Sequence, residues 1–136
     1  MNTLARNVFA ALLISALSVA AFAGKPDSSP QVLEKGKTAY SQTCQTCHGD
    51  KGDGMGPTGK YLNPKPRDFS KPASFKNGTS VEKIFETIAH GLKGTGMSPY
   101  DYLPEADRWA IAYYVHSFPE KTGSKPVGKS IAKKSK

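Results

Sequence analysis

Cys44-Gln45-Thr46-Cys47-His48 is the stretch on which the reading of this 136-residue chain turns. On a helix, Cys44 and Cys47 are three residues apart and lie about 60° from each other around the axis, with His48 only about 40° from Cys44. Two thiols and an imidazole therefore face the same side, and all three can meet one planar object. These are the chain's only 2 cysteines. They cannot build a scaffold of several disulfides, and no second cysteine pair stands by to complete a four-ligand metal site.

Outward from this stretch the pattern is helical, interrupted by long loops. A first helix begins near Ser29-Pro30, with proline suited to the first helical position, and runs through Leu33, Gly36 and Tyr40 toward the cysteines. A second starts at Thr79, where Thr79-x-x-Glu82 is a capping-box pattern, turns Ile84, Phe85 and Ile88 inward and stops at Gly91. A third opens at Pro104, with Glu105 and Asp107 favouring its N-terminus, and carries apolar residues from Trp109 to Phe118 around much of its circumference. No segment alternates convincingly as a strand, so the expected class is all-α.

The loops are too long for so small a domain. Residues 49–78 hold seven glycines or prolines before Lys65 alone (Gly49, Gly52, Gly54, Gly56, Pro57, Gly59, Pro64). Ordered loops of this length are uncommon unless they wrap something, and three short helices alone make a thin core. Something else fills it.

C-x-x-C-H is the attachment motif of c-type haem: two thiols add across the vinyl groups while the adjacent imidazole ligates iron from one side. A thioredoxin-like redox pair expects a βαβ setting, which this chain lacks. A plain disulfide is the ordinary reading for an exported protein. The histidine that follows at once, and loops in need of a large apolar partner, favour one haem c held through Cys44 and Cys47. Candidates for a second axial ligand are Met55, Met97, His90 and His116. Met97 lies in the turn-rich Gly94-Thr95-Gly96-Met97-Ser98-Pro99, which can swing a thioether over the far face of the ring. Met55 is seven residues past His48 and has to reverse around the haem edge, whereas His90 sits at a helix C-terminus, where a solvated or capping imidazole is ordinary, and His116 lies in the last helix as a surface or core residue.

Both ends of the chain read differently from its body. Arg6 precedes a nearly pure apolar run, Val8 to Ala21, that ends in Ala21-Phe22-Ala23. This order marks residues 1–23 as a secretory signal cleaved after Ala23, leaving an exported chain with no stable membrane insertion. From Lys121 onward there are six lysines and no acid (Lys121, Lys125, Lys129, Lys133, Lys134, Lys136). Much of the formal net charge of +8 thus belongs to residues 121–136, which are too poor in apolar side chains to fold and are expected to be disordered. The body, residues 24–120, has no large excess of positive charge, which argues against nucleic acid as a partner.

The whole set of motifs resembles the class I, single-haem bacterial cytochromes c. The matching residues are Cys44 to Gly49, Gly52-Asp53-Gly54-Met55-Gly56-Pro57, Leu62-Asn63-Pro64-Lys65-Pro66-Arg67-Asp68-Phe69, Gly91 to Met97 and the aromatic final helix from Trp109 to Tyr114. The resemblance implies a small fold of three to four helices and long Gly/Pro-rich loops wrapped around one haem, with His48 and Met97 as axial ligands. It implies a crossing of the first and last helices near Gly36, Tyr40, Trp109 and Tyr113. It also implies a hydrogen bond from the His48 ring N–H to the Pro57 carbonyl. One departure is that Ser98 stands between Met97 and Pro99, where the family often has proline directly after the methionine.

His–Met ligation leaves no open position on the iron, and a soft thioether favours the ferrous state. The expected function is therefore a periplasmic one-electron carrier and not an enzyme, a monomer passing electrons between redox proteins whose docking surfaces are acidic. Leu62, Pro64, Phe69, Ile88 and Tyr100 are candidates for the wall between haem and water, and Arg67 for pairing with a haem carboxylate. Two other readings stand beside it: the electron-transfer haem subunit of an exported oxidoreductase complex, and an open-site haem enzyme.

Overall fold

The computed structural model describes residues 24–118, so the segment 1–23 expected to be a signal and the lysine-rich stretch 121–136 lie outside the described residues. Among the described residues four α-helices follow one another: α1 (Pro30–Thr43), α2 (Gln45–His48), α3 (Val81–His90) and α4 (Glu105–His116). Short 3-10 turns at Gly59–Tyr61 and Pro72–Ser74 punctuate the long loop between α2 and α3. Among the described residues there is no strand. No described helix is long and apolar enough to cross a membrane.

The helix starts follow from local chemistry. Ser29 caps α1, its hydroxyl accepting from the Val32 N–H at 3.2 Å, and Pro30 takes the first helical position, where its missing N–H is no loss. At α3 the structure moves the expected cap by one residue. Ser80, not Thr79, is the cap and accepts from the Lys83 N–H at 3.3 Å. Serine caps as well as threonine, and Glu82 makes its main bond to Lys25, with smaller help from its own backbone and the Ser80 cap. The α3 helix stops at Gly91, whose φ of +68° suits glycine.

The core lies where α1 and α3 pack on α4. Gly36 is the point of closest approach: a Cβ there would stand 2.1 Å from the Ala110 carbonyl oxygen and 2.9 Å from the Tyr114 Cβ. Glycine lets the two backbones touch. One turn on, Tyr40 is buried against Tyr114 and Phe118, with ring centroids 5.2 and 5.7 Å away. The crossing therefore uses Ala110 and Tyr114, each one position later than the expected Trp109 and Tyr113. One position is about 100° around a helix. Trp109 instead turns to α3 and stacks on Phe85 at 3.9 Å and 14°, while the Tyr113 hydroxyl donates to the Pro26 carbonyl at 2.7 Å. Because α4 is apolar on nearly every side, only its neighbours decide which side meets which.

Candidate functional site

The cysteine motif sits at the end of α1. Cys44 closes α1, and α2 follows directly, its His48 N–H bonded to the Cys44 carbonyl at 2.9 Å. The stretch thus stays helical enough to keep both thiols and the imidazole on one side, as the spacing predicts. The loop after it folds back over the backbone of the motif: Gly54 N–H donates to the His48 carbonyl at 2.9 Å and Thr58 N–H to the Thr46 carbonyl at 3.0 Å. Gly59 must be glycine here, since a Cβ would lie 1.8 Å from the Cys47 carbonyl oxygen. From the other side the buried Tyr40 hydroxyl donates to the Gly49 carbonyl at 2.6 Å.

Cys44, Cys47 and His48 open into one cleft, with about 1060 Å3 of empty space when its open mouth is included. Its floor comes from α3 and α4 through Ile84, Ile88, Ile111 and Val115, all buried. Leu62, Pro64, Phe69 and Tyr100 line it as well, and so does Met97, carried in by the loop after α3. None of the other candidates for an axial ligand reaches this lining. Met55 is 53% exposed. His90 is exposed and pairs with Glu86 at 3.1 Å on the surface of α3, and His116 is exposed at the end of α4.

Pro57 is exposed and outside the cleft. The bond expected between its carbonyl and His48 is not formed. The His48 ring stacks on Phe69 instead (4.7 Å, 21°), and its Nδ1 is buried without a hydrogen-bond partner. Sequence reading also left out Phe75, Ile111 and Val115 as cleft residues. The four-residue spacing of Ile111 and Val115 put them on one face of α4, but nothing in that all-round apolar helix marked the face as the one toward the site.

The electrostatics of the cleft suit a neutral set of donors. Burial pushes the His48 pKa down to about 4, against a weaker opposing effect of the Arg67 backbone, so the imidazole is neutral at pH 7. Burial and the neighbouring Cys47 push the Cys44 thiol up to about 12. Lys65, Arg67 and Lys76 line the cleft, and among the described residues no acidic one does. An apolar slot with two thiols along one helical turn, a buried neutral imidazole beside them whose Nδ1 has no hydrogen-bond partner and a thioether from a separate loop fits a haem. It does not fit a hydrated cation, which wants oxygen ligands. Among the described residues no group of three or more His, Cys, Asp or Glu could hold a metal ion by themselves.

Known proteins bear on this geometry. The chain is 31% identical over 85 residues to thiosulfate dehydrogenase of Stutzerimonas stutzeri (strain A1501), covering 62% of this chain and 27% of that protein. It is 27% identical over 93 residues to the Cbb3-type cytochrome c oxidase subunit CcoP of Azospirillum brasilense, covering 68% of this chain and 30% of that one. The chain therefore spans less than a third of the length of these curated relatives. Among solved structures, the reducing HAO-like protein complex of Kuenenia stuttgartiensis aligns with a TM-score of 0.64 and 28% identity, over 72% of this chain and 48% of the matched chain. The family model for cytochrome c matches residues 33–119. That match takes in the cleft and all but the first turn of the helices, and the chain belongs to the cytochrome c family, an electron-transfer domain whose haem c is bound covalently, here through the only cysteines it has, Cys44 and Cys47.

Proposed function

We propose that the chain is a periplasmic one-electron carrier whose single haem c has His48 and Met97 as axial ligands. The observation that carries this reading is that Met97, alone among the candidates for the second ligand, lines the same cleft as Cys44, Cys47 and His48. The bound haem supplies the iron that takes up and gives back the electron. The residues supply its setting. His48, neutral because it is buried, offers a nitrogen lone pair throughout the physiological pH range. Met97 offers a soft thioether, which favours ferrous iron and raises the potential. With both positions filled by protein no site is left for a substrate, which is the reason to read a carrier and not an enzyme. Leu62, Phe69, Ile88 and Tyr100 give the cleft an apolar wall, and Lys65, Arg67 and Lys76 are available to pair with the haem carboxylates. Export follows from the signal-like segment 1–23, and the proposed partners are redox proteins with acidic docking surfaces.

A second reading, the haem domain of an oxidoreductase complex, is favoured by the names of the relatives: a thiosulfate dehydrogenase, an oxidase subunit and a multi-protein complex. Co-purification with a catalytic partner at high salt supports that reading, and a lone monomer supports the carrier. The ligand set is tested by redox titration with visible and near-infrared spectra on the wild type and Met97→Ala. Loss of the methionine–iron charge-transfer band, ready binding of cyanide and a lowered potential are expected in the variant. A silent Met97→Ala, with a spectral change in Met55→Ala or His90→Ala, refutes the assignment.

A further inference from the structure

The loop that presents Met97 has no helix or strand of its own and is closed by its own hydrogen bonds. Its two ends meet through a backbone bond from the Leu92 N–H to the Met97 carbonyl, 3.0 Å. Inside it the Thr95 N–H donates to the Leu92 carbonyl at 3.2 Å. The Thr95 hydroxyl then does two things at once. It donates to the Leu92 carbonyl at 2.8 Å and accepts from the Met97 N–H at 3.1 Å. Thr95 and Met97 are both half-buried. One hydroxyl thus bridges the first residue of the loop to the backbone of the residue whose side chain enters the cleft.

The rest of the loop offers little restraint of its own. Gly94, with a φ of +76° and nothing near a would-be Cβ, and Gly96 flank Thr95, and Ser98 separates Met97 from Pro99. On its outer side Gly96 lies against Leu62, a cleft residue, with a would-be Cβ 3.1 Å from the nearest Leu62 methyl. Two flexible glycines and a serine make a segment that, without internal bonds, samples many conformations. The Leu92 N–H holds the Met97 carbonyl, and the Thr95 hydroxyl is the side-chain group that holds the Met97 N–H.

We infer that Thr95 is a positioning residue: its hydroxyl holds Met97 in place against the iron and so sets how readily an outside ligand displaces the thioether. The inference rests on the reading of Met97 as an axial ligand. An outside ligand binds only to the fraction of molecules in which Met97 has let go, and its apparent affinity scales with that fraction. Removing the hydroxyl leaves the Met97 N–H without its acceptor in the ligated arrangement only, and the released arrangement gains in proportion.

The test is imidazole titration of the ferric holoprotein, read with the near-infrared methionine–iron band, for wild type, Thr95→Val, Thr95→Ser and Met97→Ala. Thr95→Val keeps the branched shape and loses the hydroxyl; Thr95→Ala removes the same hydroxyl and serves as an independent second variant. Thr95→Val is expected to bind imidazole about tenfold more tightly (~1.4 kcal/mol) and to show a weaker band, while Thr95→Ser behaves as wild type. Wild-type affinity and band in both hydroxyl-free variants, with Met97→Ala clearly altered, overturn the inference and leave the ligand assignment standing. A serine variant that matches the valine variant also overturns it. If Met97→Ala itself matches wild type, the ligand assignment fails and the inference with it.

Discussion

Replacing Gly36 by alanine pits two effects of known size against each other. Alanine is the better helix former, by about 1 kcal/mol at an interior position. Against this, the new methyl would meet the Ala110 carbonyl oxygen at 2.1 Å, the Ala110 carbonyl carbon at 2.6 Å and the Tyr114 Cβ at 2.9 Å. Two of these three atoms are backbone and none can rotate away, so α1 and α4 have to part by about 1 Å to restore ordinary contact. Overpacking of this kind costs about 1–3 kcal/mol and sometimes more. The contact is with backbone, so the upper end applies, and the net loss after the gain in propensity is about 2 kcal/mol. For a domain of 60–100 residues this lowers Tm by roughly 8–16 °C. The effect reaches the site, because α4 carries Ile111 and Val115 into the cleft and Tyr40 lines it from α1. Thermal unfolding of the holoprotein by far-ultraviolet circular dichroism measures the loss, and the visible haem spectrum reports the displaced wall. A Gly36→Ala protein that melts at or above the wild-type temperature refutes the close crossing.

Other outcomes follow from other contacts. Trp109 is 8% exposed and stacked on Phe85, so Trp109→Ala is expected to cost about 3–5 kcal/mol in denaturant unfolding; a double-mutant cycle with Phe85→Ala should recover about 0.5–1.5 kcal/mol of coupling. The hydrogen bond from Lys25, with smaller help from its own backbone and Ser80, holds the Glu82 carboxyl down to about 2, below its ordinary 4.5. The stabilisation is therefore present above pH 4.5 and lost as pH falls toward 2, and Glu82→Gln should flatten that part of the stability profile relative to wild type. Truncation after Glu120 removes the lysine-rich stretch and is expected to leave haem spectrum and potential unchanged while slowing exchange with an acidic partner at low salt. Equal rates for both proteins across a salt series would remove any steering role from those lysines.

Adjacency in the chain was enough for part of this. Two thiols and an imidazole within one helical turn share a side whatever the rest of the protein does, because helix geometry alone puts them there. The Ser29-Pro30 start of α1 and the Gly91 stop of α3 depend on backbone groups a few residues away, so they too were legible. The cap of α3 was less so, since Thr79 and Ser80 compete for one role and the distant Lys25 claims Glu82. Tertiary structure alone decided the choices that neighbours make. Met55, Met97, His90 and His116 are chemically eligible in the sequence; only the path of the loop from Gly91, closed between Leu92 and Met97, brings one of them to the cleft. The apolar circumference of α4 likewise hides which face meets α1. A periodic pattern points to a core only when one side of the helix is polar. Here the choice fell to the close backbone approach that Gly36 permits, where even a Cβ would clash, which turned Ala110 and Tyr114 to α1, left Trp109 for Phe85 and brought Ile111 and Val115 to the site.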